Sequence, residues 1–366
     1  MNIYYLNLVT YFNFHQGFTI HDGNFTIPKS IERVKSLISD HNNKIILSAV
    51  NDPWPAVQIL NLLEILGVTP NQDNVVLIID TCVYRDPDVW ASVNTVSYDS
   101  LLCRVHNSES PVFNNNLDSD KFLFITGKPN KKQRIFTLYE LYQQNALDKC
   151  EWSLYYKSHL EDVVRCHLPN MSDDTYQEFI TTMTRNLDDI SPNFGGKFGK
   201  TTIDFYKFAF APTAEIYAKA SVSLVTETIF YPDDWYWFVT EKTWKAINNF
   251  HPFALIRYKK TYEHLHSLGI DTFQYAVKHP YETLVGTQED VISMCVENAL
   301  HLLSNKNLYR EELTKSVIHN KKIFTDLANT YNNIIHPYIE KLIWTHVVQK
   351  VSDDVAAEVY EKFWGK

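Results

Sequence analysis

Glycine is scarce in this chain, ten residues among 366, and proline adds only fourteen. That shortage excludes collagen-like and Gly/Pro-rich low-complexity chains, which need those residues in bulk. The five cysteines, Cys82, Cys103, Cys150, Cys166 and Cys295, are scattered, odd in number and without a CxxC pair. Reduced thiols are therefore expected, not a disulfide framework or a thiolate zinc site. No segment reaches the roughly 18 uninterrupted apolar residues of a membrane span. The opening MNIYYLNLVTYFNFHQGF also has no basic head before an apolar run. A cytoplasmic protein without an integral membrane segment is the expectation. Positive charge is in deficit too, with 34 Lys and Arg against 43 Asp and Glu. The resulting formal charge of −9 argues against nonspecific duplex binding and leaves room for a local basic groove.

What is present is the composition of a soluble globular protein: 45% hydrophobic and 21% charged residues, with 22 Tyr and 21 Phe. The length favours two domains and a cleft between them. KIILSAV at 44–50 and NVVLIID at 74–80 read as buried strands flanking the helical pattern AVQILNLLEILG, with VNTVSYDS as a third strand. NSESPVFNNNLDSD at 107–120 reads as a linker. A second unit begins at KFLFITG and continues with the helical KKQRIFTLYELYQQNAL and the strand CEWSLYYKS. A polar helical pattern from Glu161 to Leu187 follows, then the glycine-containing loop SPNFGGKFGKTTIDFY. SVSLVTET and HPFALI are strands on either side of a helix opening at Thr240, and helices dominate from Tyr262 onwards. The expected division is 1–118, an N-terminal domain of alternating strands and helices; 119–340, a second domain of the same kind; and 341–366, amphipathic C-terminal helices that could return to the first.

Two charged clusters stand at loop-to-helix junctions. Thr240 is a helix cap, Glu241 an acceptor for ribose hydroxyls and Lys242 a counter-charge for phosphate, at a helix start that offers free N–H groups to an anion. GKPNKKQR places Lys128, Lys131, Lys132 and Arg134 between a strand and a helix, and an arginine fork suits a pair of diphosphate oxygens. A polar helix start and a solvated basic turn are the alternatives. Glu227 at the end of SLVTET could orient a sugar hydroxyl or cap the next turn. An acceptor hydroxyl needs a general base. Asp52, after the KIILSAV strand, is the positional choice, with Asp80, Glu109, His15, His21 and His251 as rivals. Trp235, Tyr236, Trp237 and Phe238 could cover a base or sugar face or simply pack. Asp204 and Tyr206 receive no role. Asp233 and Asp234 are weak metal candidates, and no metal ligand set is assigned. There is no P-loop, HExxH, GxSxG or dinucleotide fingerprint.

SLVTETIFYPDDWYWFVTEKTWKAINNFHPFALI resembles the donor-site segment of α-1,3-fucosyltransferase-like proteins, and FLFITGKPNKKQRIFTLYEL resembles the family's earlier strand, basic loop and helix. The likeness spans about 140 residues, Lys121 to Arg257. It implies a divergent bacterial or viral member of that family, of α/β class and GT-B architecture: two Rossmann-like domains facing across a cleft. Carried over, Lys132, Arg134, Glu227, Thr240, Glu241 and Lys242 hold a nucleotide-sugar donor, GDP-sugars among the candidates, with no tightly bound cofactor. Glu227 matches the acidic residue beside the donor and is counted with Asp52 among the catalytic candidates. The resemblance implies that transfer to a hydroxyl acceptor is inverting and metal-independent, with a base from the N-terminal, acceptor-side domain, for which Asp52 is the choice by position alone. SLVTET stands where the family has a Phe-Glu-Asn-Ser type of sequence, which leaves the donor open. Glycans, other hydroxyl-bearing acceptors and hydroxymethylated DNA bases are all acceptor candidates. A non-catalytic nucleotide- or glycan-binding protein is the competing class.

Overall fold

The fold is given by a computed structural model. It describes residues 2–7, 18–22, 25–29, 31–49, 56–80, 94–108, 111, 113, 116–126, 131–153, 160–190, 214–227, 239–257, 259–278 and 287–334. Internal packing divides the chain into two compact units: Met1–Cys103 with Leu327–Lys366, and Arg104–Asp326. That division falls ahead of the polar stretch 107–120. The α/β class expected from the sequence, with two Rossmann-like units, is the class observed.

The first unit is built on β1 (Asn2–Asn7), β2 (Phe18–Asp22), β3 (Phe25–Lys29), β4 (Asn43–Ala49), β5 (Val75–Asp80) and β6 (Thr95–Tyr98), in the order β3-β2-β1-β4-β5-β6. β1, β4, β5 and β6 are parallel, and β2 and β3 add an antiparallel edge. Ile45, Ile46, Leu47 and Val75 through Ile79 are wholly buried. This is why β4 and β5 read as unbroken apolar runs: a parallel strand is covered on both faces. Helices α1 (Ile31–Ser39) and α2 (Ala56–Leu66) accompany the sheet, and the division between the units falls within α3 (Ser100–Ser108). One of the few glycines ends α2: Gly67 sits at φ 74. The Gly67 and Val68 N–H groups donate back to the carbonyls of Glu64 and Leu63. That closure needs a left-handed residue, which only glycine supplies without strain. The carbonyls at the end of α1 are satisfied from outside the helix. Asn43 Nδ2 donates to Leu37 O at 3.1 Å, while Gln72 Nε2 and Asn74 Nδ2 donate to Ile38 O at 2.9 and 3.0 Å.

His21, expected in a loop, is a strand residue instead. It lies in β2, in register with Tyr5 and Thr26, because FTIHD alternates in the period of an extended strand. Asp80 is the last residue of β5.

The second unit carries β7 (Phe122–Ile125), β8 (Cys150–Ser153), β9 (Val222–Thr226) and β10 (Phe253–Ile256), all parallel, in the order β10-β9-β7-β8. α4 (Lys132–Gln143) joins β7 to β8. The polar helical pattern that follows is two helices, α5 (Leu160–His167) and α6 (Asp173–Ile190). Pro169 cannot continue the first helix, and Ser172 accepts the Thr175 N–H to start the second. α7 (Ala214–Tyr217) precedes β9, and α8 (Glu241–Asn248) leads into β10. α9 (Lys259–Ser267), α10 (Gln288–Asn305) and α11 (Arg310–Ile334) complete the described chain. α10 packs on β9 and β10 and against α4, burying Ile135, Leu138 and Leu141 of α4 with Cys295, Val296 and Ala299 of its own. Among the described residues no helix is long and apolar enough to cross a membrane. The helices expected over 341–366 lie outside the described residues.

Candidate functional site

The strand order of the second unit fixes where a ligand would sit. After β7 the chain moves outward to β8, and after β9 it moves outward in the opposite direction to β10. The connections therefore diverge between the carboxyl ends of β7 and β9, the crevice in which open parallel sheets bind ligands. Two helix N-termini, those of α4 and α8, follow these two strands.

The end of β9 ties both helices together. Glu227 is fully buried, and its Oε1 accepts the Thr240 N–H at 3.0 Å and the Thr243 hydroxyl at 2.5 Å. Its backbone carbonyl accepts from Gln133 Nε2 of α4 at 3.0 Å. Glu227 Oε2 is also buried, with no hydrogen-bond partner among the described residues. Thr240 is the N-cap expected from the sequence: its hydroxyl accepts the Lys242 N–H at 3.3 Å. At the far end of α8, Phe250 takes a left-handed φ of 58, and the His251 N–H donates to Ala246 O at 2.9 Å. This is the closure that glycine performs after α2, here made at some backbone strain by a residue that packs edge-on against Phe113. His251 is then fixed through both nitrogens. Ser223 Oγ lies 3.0 Å from Nδ1, and Nε2 donates to Tyr217 O at 2.8 Å. Burial pulls its pKa down to about 4. This neutral, saturated imidazole pins β10 beside β9 and has no free nitrogen for proton transfer.

Around the crevice the charges are close and largely dehydrated. Arg134, in the first turn of α4, is buried. Desolvation lowers its pKa, while Glu241 and Glu227 act to raise it, which places both carboxylates in electrostatic reach of the guanidinium. Lys242 Nζ meets Glu241 Oε1 at 2.5 Å. Burial works to raise the Glu241 carboxyl, but Lys242 and Lys245 outweigh it and hold the group at about 2. Glu241 is thus a carboxylate throughout the physiological range. Lys245, one turn further along α8, is buried and shifted down to about 8 by desolvation, with Glu241 opposing the shift and Lys242 adding to it. Sequence reasoning missed this lysine. In the primary structure it looks like a polar position on an amphipathic helix, and its burial becomes visible only once Thr243 through Asn248 are all seen to be covered.

Arg134, Glu227, Thr240, Glu241 and Lys242 are thus brought together. Lys132 is not. Its ammonium points to α10, 2.6 Å from Glu289, and lies 5.1 Å from the centre of its own helical neighbour, the Phe136 ring. Asp52, Glu109, His15, Lys128, Asp204, Tyr206, Asp233, Asp234 and the run Trp235–Phe238 lie outside the described residues.

No protein-family model matches the chain, and no curated protein matches it in sequence. Solved structures that align with it include a trehalose-6-phosphate synthase, OtsA, at 13% identity over 83% of this chain and 75% of that one, with a TM-score of 0.38. Another is an α,α-trehalose-phosphate synthase (UDP-forming) from Burkholderia vietnamiensis, at 12% identity over 80% and 69%, with a TM-score of 0.33. Likeness at this level says nothing about the site, whose reading rests on the geometry above.

Two predictions follow from the buried charges. Glu227→Ala leaves the Thr240 N–H and Thr243 hydroxyl without their acceptor and removes one of the two carboxylates in electrostatic reach of Arg134, so it should cost about 3 kcal/mol or more in chemical denaturation. Glu227→Gln keeps an acceptor oxygen and should cost less than about half as much. Equal, near-zero costs for both would show that Glu227 does not hold α8. Lys245 sheds its proton at about 8 when folded and at 10.5 when unfolded. Between those values the unfolded chain binds more protons, so the folded form gains stability as pH rises. Below about 8 the burial penalty is fully present. Lys245→Met should therefore melt higher than wild type at pH 7, by on the order of 3 kcal/mol, with the gap closing towards pH 10.5. A variant that melts lower at pH 7 would contradict it.

Proposed function

We propose that the second unit binds the diphosphate of a nucleotide-sugar donor and that the protein is a nucleotide-sugar-dependent glycosyltransferase. One observation carries the reading: at the switch point of a parallel sheet, Arg134, Lys242 and the capped N-terminus of α8 converge with Glu241 beside them. An arginine fork and a lysine neutralise a diphosphate, the free N–H groups of a helix start receive its oxygens, and a carboxylate held ionised accepts ribose or sugar hydroxyls. The resemblance of VTEKTWKA and its surroundings to the fucosyltransferase donor segment supports the same assignment, with GDP-sugars among the donors to test first.

In the proposed reaction a base removes the acceptor hydroxyl proton, the oxygen attacks the anomeric carbon, and the bond from that carbon to the diphosphate oxygen breaks with inversion. The nucleoside diphosphate leaves carrying the negative charge that develops on its terminal phosphate. Arg134, Lys242 and the α8 N-terminus supply fixed positive charge where it appears, without the reorganisation that water would need. Asp52 is our candidate for the base. Lys132 is dropped from the donor set because it is engaged by Glu289. Glu227 acts as a positioning residue: it is wholly buried and reaches the site through Thr240 and Thr243.

Calorimetry with GDP, UDP and their sugar conjugates tests the assignment. Lys242→Ala and Arg134→Lys should each weaken the preferred nucleotide at least about tenfold, the second because an ammonium cannot reproduce the fork. Unchanged affinity in both variants would overturn the site. Donor binding without release of nucleoside diphosphate, whatever hydroxyl acceptor is offered, would make the protein a binding module and not a transferase.

A further inference from the structure

Lys321, near the middle of α11, reaches the carboxyl end of α8. Its Nζ donates to the side-chain oxygen of Asn248, the last residue of that helix. The same nitrogen lies 5.8 Å from the centre of the Phe250 ring and 5.2 Å from that of Phe324. Both rings are held in place. Phe250 packs edge-on against Phe113, while Phe324 meets the Trp244 ring at 6.0 Å and the His106 ring at 5.8 Å. The amine is thus bounded by two aromatic faces and one neutral amide oxygen. Among the described residues no carboxylate lies within ion-pairing distance of it.

That setting separates Lys321 from the other lysines. Lys121, Lys132, Lys306 and Lys315 each meet a carboxylate, which favours the protonated form. Lys245 is also shifted down, but it is buried and Glu241 opposes the shift. Lys321 is only half-buried, so part of its side chain stays in contact with solvent. Its loss of hydration outweighs the attraction of the rings for a cation, and burial brings the group down to about 8.

We infer that Lys321 is a nucleophilic lysine whose place between Phe250, Phe324 and the Asn248 amide makes it the preferred site, among the described lysines, for acylation by a thioester or an acyl phosphate. Desolvation without a counter-charge is one of the ways a lysine amine is activated. In the step, the ammonium first gives a proton to water. The Nζ lone pair then forms a bond to the acyl carbon, and the bond from that carbon to sulfur, or to the phosphate oxygen, breaks. Thiolate or phosphate leaves with the electron pair, and a second proton passes from nitrogen to solvent. The product suits its surroundings better than the reactant. An amide carries no charge, so the half-buried cation without a carboxylate is gone. Its remaining N–H still has Asn248 as an acceptor, and a short acyl chain has the two ring faces to lie against.

The full-length protein is incubated with acetyl-coenzyme A or acetyl phosphate, and acetylation is followed by peptide mass spectrometry after cleavage at acidic residues. Lys322, exposed and next along the helix, is the internal reference. At about pH 7.5 Lys321 should react at least about tenfold faster than Lys322, because its amine is unprotonated far more often. Asn248→Asp sets a carboxylate where the neutral amide now accepts, and should bring the two rates to within about twofold. Lys321→Arg should remove the fast-reacting peptide and leave Lys322 unchanged. Equal rates at Lys321 and Lys322 in wild type would overturn the assignment. So would an Asn248→Asp protein that melts cooperatively and keeps the wild-type ratio. Should that variant fail to fold, the wild-type ratio and the Lys321→Arg result decide by themselves.

Discussion

The second unit's site depends on one carboxylate oxygen. Glu227 Oε1 stands at the end of β9 and takes both the backbone N–H of the α8 cap and the hydroxyl of Thr243 three residues on. The same residue's carbonyl holds Gln133 of α4. Two helices that leave adjacent strands in opposite directions are therefore indexed to a single point, and their N-termini share one crevice. Without that tie, the position of Lys242 relative to Arg134 would be set only by apolar packing, which constrains distance far better than direction. Hydrogen bonds with a buried acceptor constrain both.

The arrangement concentrates cost where chemistry is expected. Three cations and two carboxylates are packed at the end of a four-stranded sheet, and Lys245 is held with its pKa depressed to about 8. A buried charge cluster of this kind is poor stabilisation and good preorganisation. The remainder of the unit offsets it: Trp152, Trp244, Phe122, Phe124, Phe253 and Phe324 are all buried at under 2% exposure. The high aromatic content thus has a structural use in the core around the site, whatever the run Trp235–Phe238 does.

Much of this was legible in the primary structure, for identifiable reasons. β4, β5, β7, β9 and β10 announce themselves because parallel strands buried on both faces must be aliphatic or aromatic throughout. Thr240 could be named as a cap because its neighbours switch there to helical spacing. What escaped notice depends on long-range contact. NIYYLN is held as a strand between FTIHD and β4, and FTIHD between NIYYLN and β3, and the short period of each stretch does not by itself name those partners. Lys132 looked equivalent to Arg134, but two positions along α4 turn it towards Glu289 of α10. Lys245 looked like a solvated polar residue because no local pattern reports that the opposite face of α8 is also covered. Glu227 drew attention as an acidic strand end, and what the sequence does not display is the set of bonds by which it also holds the starts of α4 and α8.

The central claim is that α8 meets an anionic ligand through its N-terminus at the β7–β9 crevice. Amide hydrogen exchange measured with and without GDP or UDP tests it residue by residue. The account predicts that nucleotide slows exchange at Glu241, Lys242 and Thr243 and across the first turn of α4 around Arg134, with Glu227→Ala abolishing the effect. Protection confined to other segments, while the N-termini of α8 and α4 exchange as in the free protein, would contradict it.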